Sequence, residues 1–344
     1  MAGWVKVRRA PGQDTRYAFA VGRIRALEAR LLDSTRIERL LDTDDADEAW
    51  RTLADSDYGA LTAELSGPTA FESLLEAQED RLWHLFEELC LDDWVREIML
   101  SRLDYSNLKV LARLRLVLRN DDPWEARTGS VPLEQLSEAL TEHNISRLPP
   151  HLASAAQALF DLESAGKLNP RHIDLDIDDA FFAFLIGKAR EFGTSFFVDF
   201  VRIWIDLTNI ATLFRVRQFK PDPEVARRAF HRGGIVPASH FSEALDEAPE
   251  VLPQRFFATP YYALIEHGGI VLGASGSFSR LEKLLDDYLI DFIRRTKVYA
   301  FGAEPLVAYL LAKEHEIKML RMIFTGKVIH IPTSALRERM PRVY

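Results

Sequence analysis

Cysteine is almost absent. The 344-residue chain holds one, Cys90, which excludes an intramolecular disulfide and any metal cluster built on several thiolates. That usage fits a reducing cytosol, and the lone thiol reads as a small core residue. Long apolar runs are missing as well. The most apolar helical stretch, 196–214, is interrupted by Asp199, Arg202, Asp206 and Asn209, and charge in mid-bilayer is costly, so the sequence predicts no transmembrane segment. Residues 1–9 carry charge without an apolar stretch of signal length, so no secretion signal is expected. Positive charge is in deficit: 43 Lys and Arg against 52 Asp and Glu give a formal net charge of −9. That balance speaks against generic binding to nucleic-acid phosphate, which selects a basic face.

Recognisable chemistry is sparse too. Gly187-Lys188-Ala189 and Gly326-Lys327-Val328 lack the upstream glycine and the hydroxyl residue of a phosphate-cradling loop. The nine histidines show no metal-ligand spacing: a turn is expected between His231 and His240, and His315-Glu316 does not lead to a second histidine. No catalytic residue, cofactor site or metal site is expected. The acidic run Asp42 to Glu48 reads as a solvated helix start favoured by the helix dipole. The glycine-rich stretch Gly268 to Ser277 reads as a flexible connection, with Ser277 or Ser279 capping a helix that begins near Leu281. Its other reading, an anion cradle in a hydrolase, is the enzymatic alternative for this chain.

What is present is helical period. Ile24, Leu27 and Leu31 share one face, and Leu74, Leu75, Leu82, Leu85, Phe86 and Leu89 share another, inside long proline-free windows. Asp45-Ala46-Asp47-Glu48 ahead of Trp50 has capping-box form. No Asn-Gly or Asp-Gly hairpin signal separates alternating runs. The class is all-α. A helix is expected over 195–218, carrying a polar line of Asp199, Arg202, Asp206 and Asn209 that answers Glu97, Asp104 and Asn107. Two readings stay open: a solvated or self-paired face, or a line turned toward a central cavity.

The chain also repeats itself. Gly129 to Leu140 matches Gly234 to Leu245 at seven of twelve positions, at an offset of 105. Upstream, Asp104-x-x-Asn107-Leu108-x-x-Leu111-x-Arg113-x-Arg115 matches Asp206-x-x-Asn209-Ile210-x-x-Leu213-x-Arg215-x-Arg217 at an offset of 102. A third, looser copy runs from Lys313 through Glu316 to Pro332 and Leu336, with Glu316 where the others have Asn. A partial copy opens the chain, with Tyr17 six residues before Arg23 as Asn107 is before Arg113. A period near 102 makes each unit a small helical bundle, because solenoid repeats are about 20–45 residues. The arginine pairs Arg23 and Arg25, Arg113 and Arg115, and Arg215 and Arg217 recur at one place in the repeat. They are either cations at helix C-termini or charges gathered for an acidic partner.

In the order of these motifs the chain resembles the C subunit of the prokaryotic V-type and A-type ATPases, the counterpart of the d subunit in vacuolar ATPases. The residues that carry the resemblance are Tyr17-Ala-Phe-Ala-Val-Gly-Arg-Ile-Arg25, Leu53-Ala-Asp-Ser-Asp-Tyr58-Gly59, the two Asp-x-x-Asn signatures, and Lys313 to Arg321 followed by Gly326 and Ile331-Pro332. The resemblance implies a funnel of three similar helical subdomains about a pseudo-threefold axis: a tail over 1–16, then units over 17–120, 121–220 and 221–344. It implies a non-catalytic rotor subunit on the cytoplasmic face of the membrane. Its partners would be the central-stalk subunits and the proteolipid rotor ring, and it would carry torque for proton or sodium transport coupled to ATP. Membrane contact would come only through partner subunits, with no nucleic acid involved. On the second reading of the arginine pairs, their threefold placement would gather the six at the socket mouth. The alternative is a helical-repeat adaptor unrelated to rotary ATPases.

Overall fold

A computed structural model describes residues 10–117, 129–166, 170–275 and 277–344, of which 115–117, 170–172 and 271–275 are described by backbone alone. Every regular element among the described residues is helical, as the periodicity predicts. In chain order, α1 (Ala18–Glu28), α2 (Ser34–Asp42), α3 (Ala46–Ala54), α4 (Gly59–Glu64) and α5 (Phe71–Leu89) come first. Next are α6 (Asp93–Val117), α7 (Leu133–Thr141), α8 (Pro150–Ser164), α9 (Pro170–Phe192), α10 (Ser195–Phe219), α11 (Pro223–Arg228), α12 (Ala238–Glu243) and α13 (Leu252–Arg255). The chain closes with α14 (Tyr262–Ser275), α15 (Ser279–Ile293), α16 (Glu304–Val328) and α17 (Thr333–Arg339).

These helices form two compact units. Among the described residues the central unit is Asp92–Arg255, and the terminal unit joins residues 10–91 with Phe256–Tyr344. In the central unit α9 packs against both α6 and α10. Aromatic edges join these helices: Trp204 of α10 meets Phe181 of α9 at 5.4 Å, and Trp94 of α6 meets Phe197 of α10 at 4.7 Å between ring centres. Such edge contacts add about 0.5–1.5 kcal/mol each beyond area burial. In the terminal unit the core gathers Leu40, Leu41, Trp50, Leu53, Leu74 and Leu75 from the first helices around Ile317, Leu320, Ile323 and Phe324 of α16.

Local signals read from the sequence are realised in hydrogen bonds. Asp45 caps α3 by accepting from the Glu48 amide at 2.8 Å, and the Glu48 carboxylate returns to the Asp44 amide at 2.8 Å. Cys90 is buried. One expectation is corrected: the stretch from Gly268 is no loop, because α14 runs through Ser275. The glycine serves packing, since a Cβ at Gly268 would sit 2.7 Å from Leu281 Cδ1 of α15, against which α14 lies. That helix also starts two residues earlier than expected, with the Ser277 hydroxyl accepting from the Ser279 amide at 3.3 Å.

Candidate functional site

The repeated residues meet in space within each copy. In the central unit α6 and α10 are each 25 residues long, and each carries its Asp fully buried near mid-helix. Asp104 accepts from the Val131 amide at 3.1 Å and from the Ser130 hydroxyl at 2.5 Å. Asp206 accepts from the Ile235 amide at 2.8 Å and from the Val236 amide at 3.3 Å. The glycine of each Gly-x-Val-Pro turn touches the same carboxylate: an added Cβ would lie 2.2 Å from Asp104 Oδ1 at Gly129 and 2.0 Å from Asp206 Oδ1 at Gly234. So the two repeated segments recur together because one pins the other. Asn209 completes the second copy, donating to the His231 carbonyl at 2.9 Å and accepting from the His231 amide at 2.8 Å.

For two of the four residues of the polar line on α10 the outcome differs from either sequence reading. Asp206 and Asn209 are neither solvated nor lining open space; both are 0% exposed and bound to the following turn. Arg202, one turn before Asp206, reaches the Gly234 carbonyl at 3.4 Å. For Asp104, burial pushes the carboxyl above its ordinary value, and the bonds from Ser130 and Val131 only partly oppose that.

The third copy keeps the geometry and changes the chemistry. Like the others, α16 is 25 residues long and is followed by a short helix entered through proline. Pro132, Pro237 and Pro332 precede α7, α12 and α17 with φ near −56°, −58° and −55°, and the residue four positions on, Leu136, Phe241 or Leu336, is buried. Where the first copies have Asp and Asn, α16 has a buried ion pair: Lys313 Nζ donates to Glu316 Oε1 at 2.6 Å. Tyr58 donates to the same oxygen at 2.8 Å, its ring lies under Lys313 Nζ at 4.4 Å, and Glu316 Oε2 accepts from the Leu32 amide at 2.5 Å. Glu316 therefore ties the first helices of the chain to α16 instead of tying its own turn.

The arginine pairs divide into two kinds. Arg25 is half-buried and donates to the Thr296 carbonyl at 2.6 Å, the Tyr299 carbonyl at 3.0 Å and Glu28 at 2.6 Å. Arg217 donates to the carbonyls of Ala244, Leu245 and Glu247 at 2.9, 3.0 and 2.8 Å. These second arginines hold backbone, each binding carbonyls of a short 3-10 turn and of the residue that ends it. The first arginines lie outward: Arg23 pairs with Glu88 at 2.5 Å, Arg113 pairs with Asp174, and Arg215 is exposed. The side chain of Arg115 lies outside the described residues.

Burial also sets a pH response. The His315 imidazole is held below its ordinary value by burial, while its bond to the Arg342 carbonyl at 2.8 Å and the nearby Asp286 and Asp287 oppose the shift and Lys318 adds to it. His151 is lowered too, again chiefly by burial, with Lys188 adding and Glu97 opposing. Both take up protons less readily folded than unfolded. Stability from this source is therefore complete above the unfolded value of about 6.5 and is lost as pH falls through that value toward the folded one. Thermal melts between pH 8 and 5 should show a falling midpoint below about pH 6.5, with a shallower fall for His315→Gln. An unchanged slope in that variant would contradict the assignment.

Among the described residues no group of three or more His, Cys, Asp or Glu side chains is placed to hold a metal ion. Comparison with known proteins shows the family. A family model described as ATP synthase (C/AC39) subunit matches residues 20–339. The C subunit of the V-type sodium ATPase of Enterococcus hirae is 26% identical over 321 residues, covering 93% of this chain and 97% of that protein. The C subunit of the A-type ATP synthase of Methanosarcina acetivorans is 23% identical over 348 residues, with 94% and 92% covered, and that of Methanocaldococcus jannaschii is 22% identical over 339 residues, with 93% and 85% covered. With the match running through all three copies of the long helix and its proline turn, the chain belongs to the ATP synthase (C/AC39) subunit family.

Proposed function

We propose that this chain is the non-catalytic rotor subunit that joins the central stalk of a V/A-type rotary ATPase to the proteolipid ring and transmits torque for proton or sodium transport. The observation that carries the reading is family membership over residues 20–339, with relatives named as the C subunits of such complexes aligned over most of their own length. The repeat adds support: buried carboxylates and arginines in it are engaged with the protein's own turns and backbone, which is the chemistry of a stiff coupling element. In this proposal the chain sits peripherally on the cytoplasmic face and meets the membrane through its partners. No helix among the described residues is long and apolar enough to cross a membrane.

The funnel of three units, bounded near residues 120 and 220, belongs to the same proposal and rests on the threefold recurrence of the 25-residue helix and proline turn. So does the role of the outward arginines Arg23, Arg113 and Arg215 as receivers of acidic partner groups. The double reversal Arg113→Glu with Arg215→Glu tests it. The expected result is a folded protein whose complex hydrolyses ATP at the wild-type rate but drives ion transport at least about tenfold less well, as loss of charge complementarity at an interface produces. Normal coupling in the folded variant would confine those arginines to the helix-end role.

A further inference from the structure

The central unit has a second basic surface that lies outside the arginine pairs. Between α9, α11 and the turn that leads into α12 lies an open groove of about 920 Å³. Arg227, Arg228 and Arg232 line it, together with Ile235, Pro237 and Ser239. The carboxylates at the groove already have partners: Asp179 meets His231 Nδ1 at 2.7 Å, and Asp176, just beyond the rim, holds Arg228 at 2.7 Å. Arg227 and Arg232 are exposed, and neither forms an ion pair among the described residues. Some surface arginines, among them Arg23, Arg147, Arg294 and Arg337, hold a carboxylate; Arg227 and Arg232 are set apart by sharing one groove.

We infer that this groove is a docking site for an acidic, partly apolar segment of a partner protein. The inference rests on the reading that the chain works as a subunit of a larger assembly. Two uncommitted guanidinium groups supply charge complementarity. Beside them Ile235, 38% exposed, and Pro237 offer an apolar floor, which a peptide side chain uses and a free phosphate does not. The groove's one aromatic wall residue, Phe230, is buried and gives no stacking platform, which disfavours a nucleic-acid strand. The Arg-x-x-x-x-Arg-Gly-Gly spacing of residues 227–234 places the charges at the edge of the same turn that Asp206 pins from behind, so the site is held on a fixed backbone.

Two experiments test the inference. First, a photo-crosslinking residue is placed at Ser239 and irradiated in cells. Capture of an Asp- and Glu-rich peptide of another protein is expected; capture of lipid, of nucleic acid, of a non-acidic segment or of nothing overturns the proposal. Second, the double variant Arg227→Glu with Arg232→Glu, and a milder Arg227→Gln with Arg232→Gln, are titrated back onto membranes depleted of the subunit. The half-saturating concentration should rise about tenfold or more for the reversal and less for the neutral variant, with thermal midpoints unchanged. Wild-type rebinding by both folded variants overturns the groove while leaving the proposed function intact. Wild-type protein that fails to rebind such membranes counts against the proposed function instead, and the crosslinked peptide still decides the groove.

Discussion

Replacing Gly234 with alanine destabilises the protein by about 3–5 kcal/mol, while the same replacement in an Asp206→Ala background changes stability by less than about 1 kcal/mol. Gly234 has no positive φ, so its backbone accepts a Cβ. The obstacle is the Asp206 carboxylate, 2.0 Å from where that Cβ would stand. Asp206 is wholly buried and cannot swing into water, so the alanine drives it off the Ile235 and Val236 amides and strands buried polar groups on both sides. With the carboxylate already gone there is room, and the shorter conformational menu of alanine in the unfolded chain offsets part of what remains. Denaturant titrations of wild type, the two single variants and the double give the coupling directly. Additive costs would show that glycine and aspartate are not parts of one joint. Gly129 and Asp104 form the same joint in the first copy and should repeat the pattern.

The second large effect is expected in the third copy. Lys313→Met leaves Glu316 buried without its cation and should cost about 3–5 kcal/mol, the usual penalty for breaking a buried pair from one side. Lys313→Met with Glu316→Met removes both charges and leaves only the Leu32 amide and the Tyr58 hydroxyl without their acceptor, for about 1–3 kcal/mol. The double variant is therefore the more stable of the two. A double variant no better than Lys313→Met would mean that Tyr58 and the Leu32 amide, rather than the lysine, hold Glu316 in place.

Much of this architecture was legible in the residues, and the parts that were not share a cause. Helical period, the Asp45 cap and the span of α10 depend on neighbours along the chain, and each appears where the sequence puts it. The repeat was legible as identity, yet its reason was not. Asp206 and the amide of Ile235 are 29 residues apart, and no local signal tells a carboxylate that faces water from one that closes a distant turn. The same blindness made the glycines from Gly268 read as a loop. In isolation glycines break helices, whereas here Gly268 lets Leu281 approach the backbone of α14. The departure of Glu316 from Asn was visible, but its partners Leu32 and Tyr58 stand more than 250 residues away and cannot be inferred from spacing. The outward and inward arginines of the pairs Arg23 with Arg25 and Arg215 with Arg217 look alike in sequence because their difference lies in carbonyls contributed by other segments.

The groove arginines were missed for another reason. Arg227-Arg228 and Arg232 stand in a chain with excess acid, and the order of residues does not say which of its arginines meet a carboxylate. Only the placement of Asp176 and Asp179 against Arg228 and His231 shows which cations remain.

The measurement that bears most directly on the central claim is recovery of an affinity-tagged copy of this chain from its native membrane in mild detergent, with the co-purifying proteins identified and quantified. The proposed function predicts stoichiometric recovery of proteolipid-ring, central-stalk and catalytic-head subunits of a rotary ATPase. Recovery of soluble partners alone, with no ring or head subunit, would contradict it.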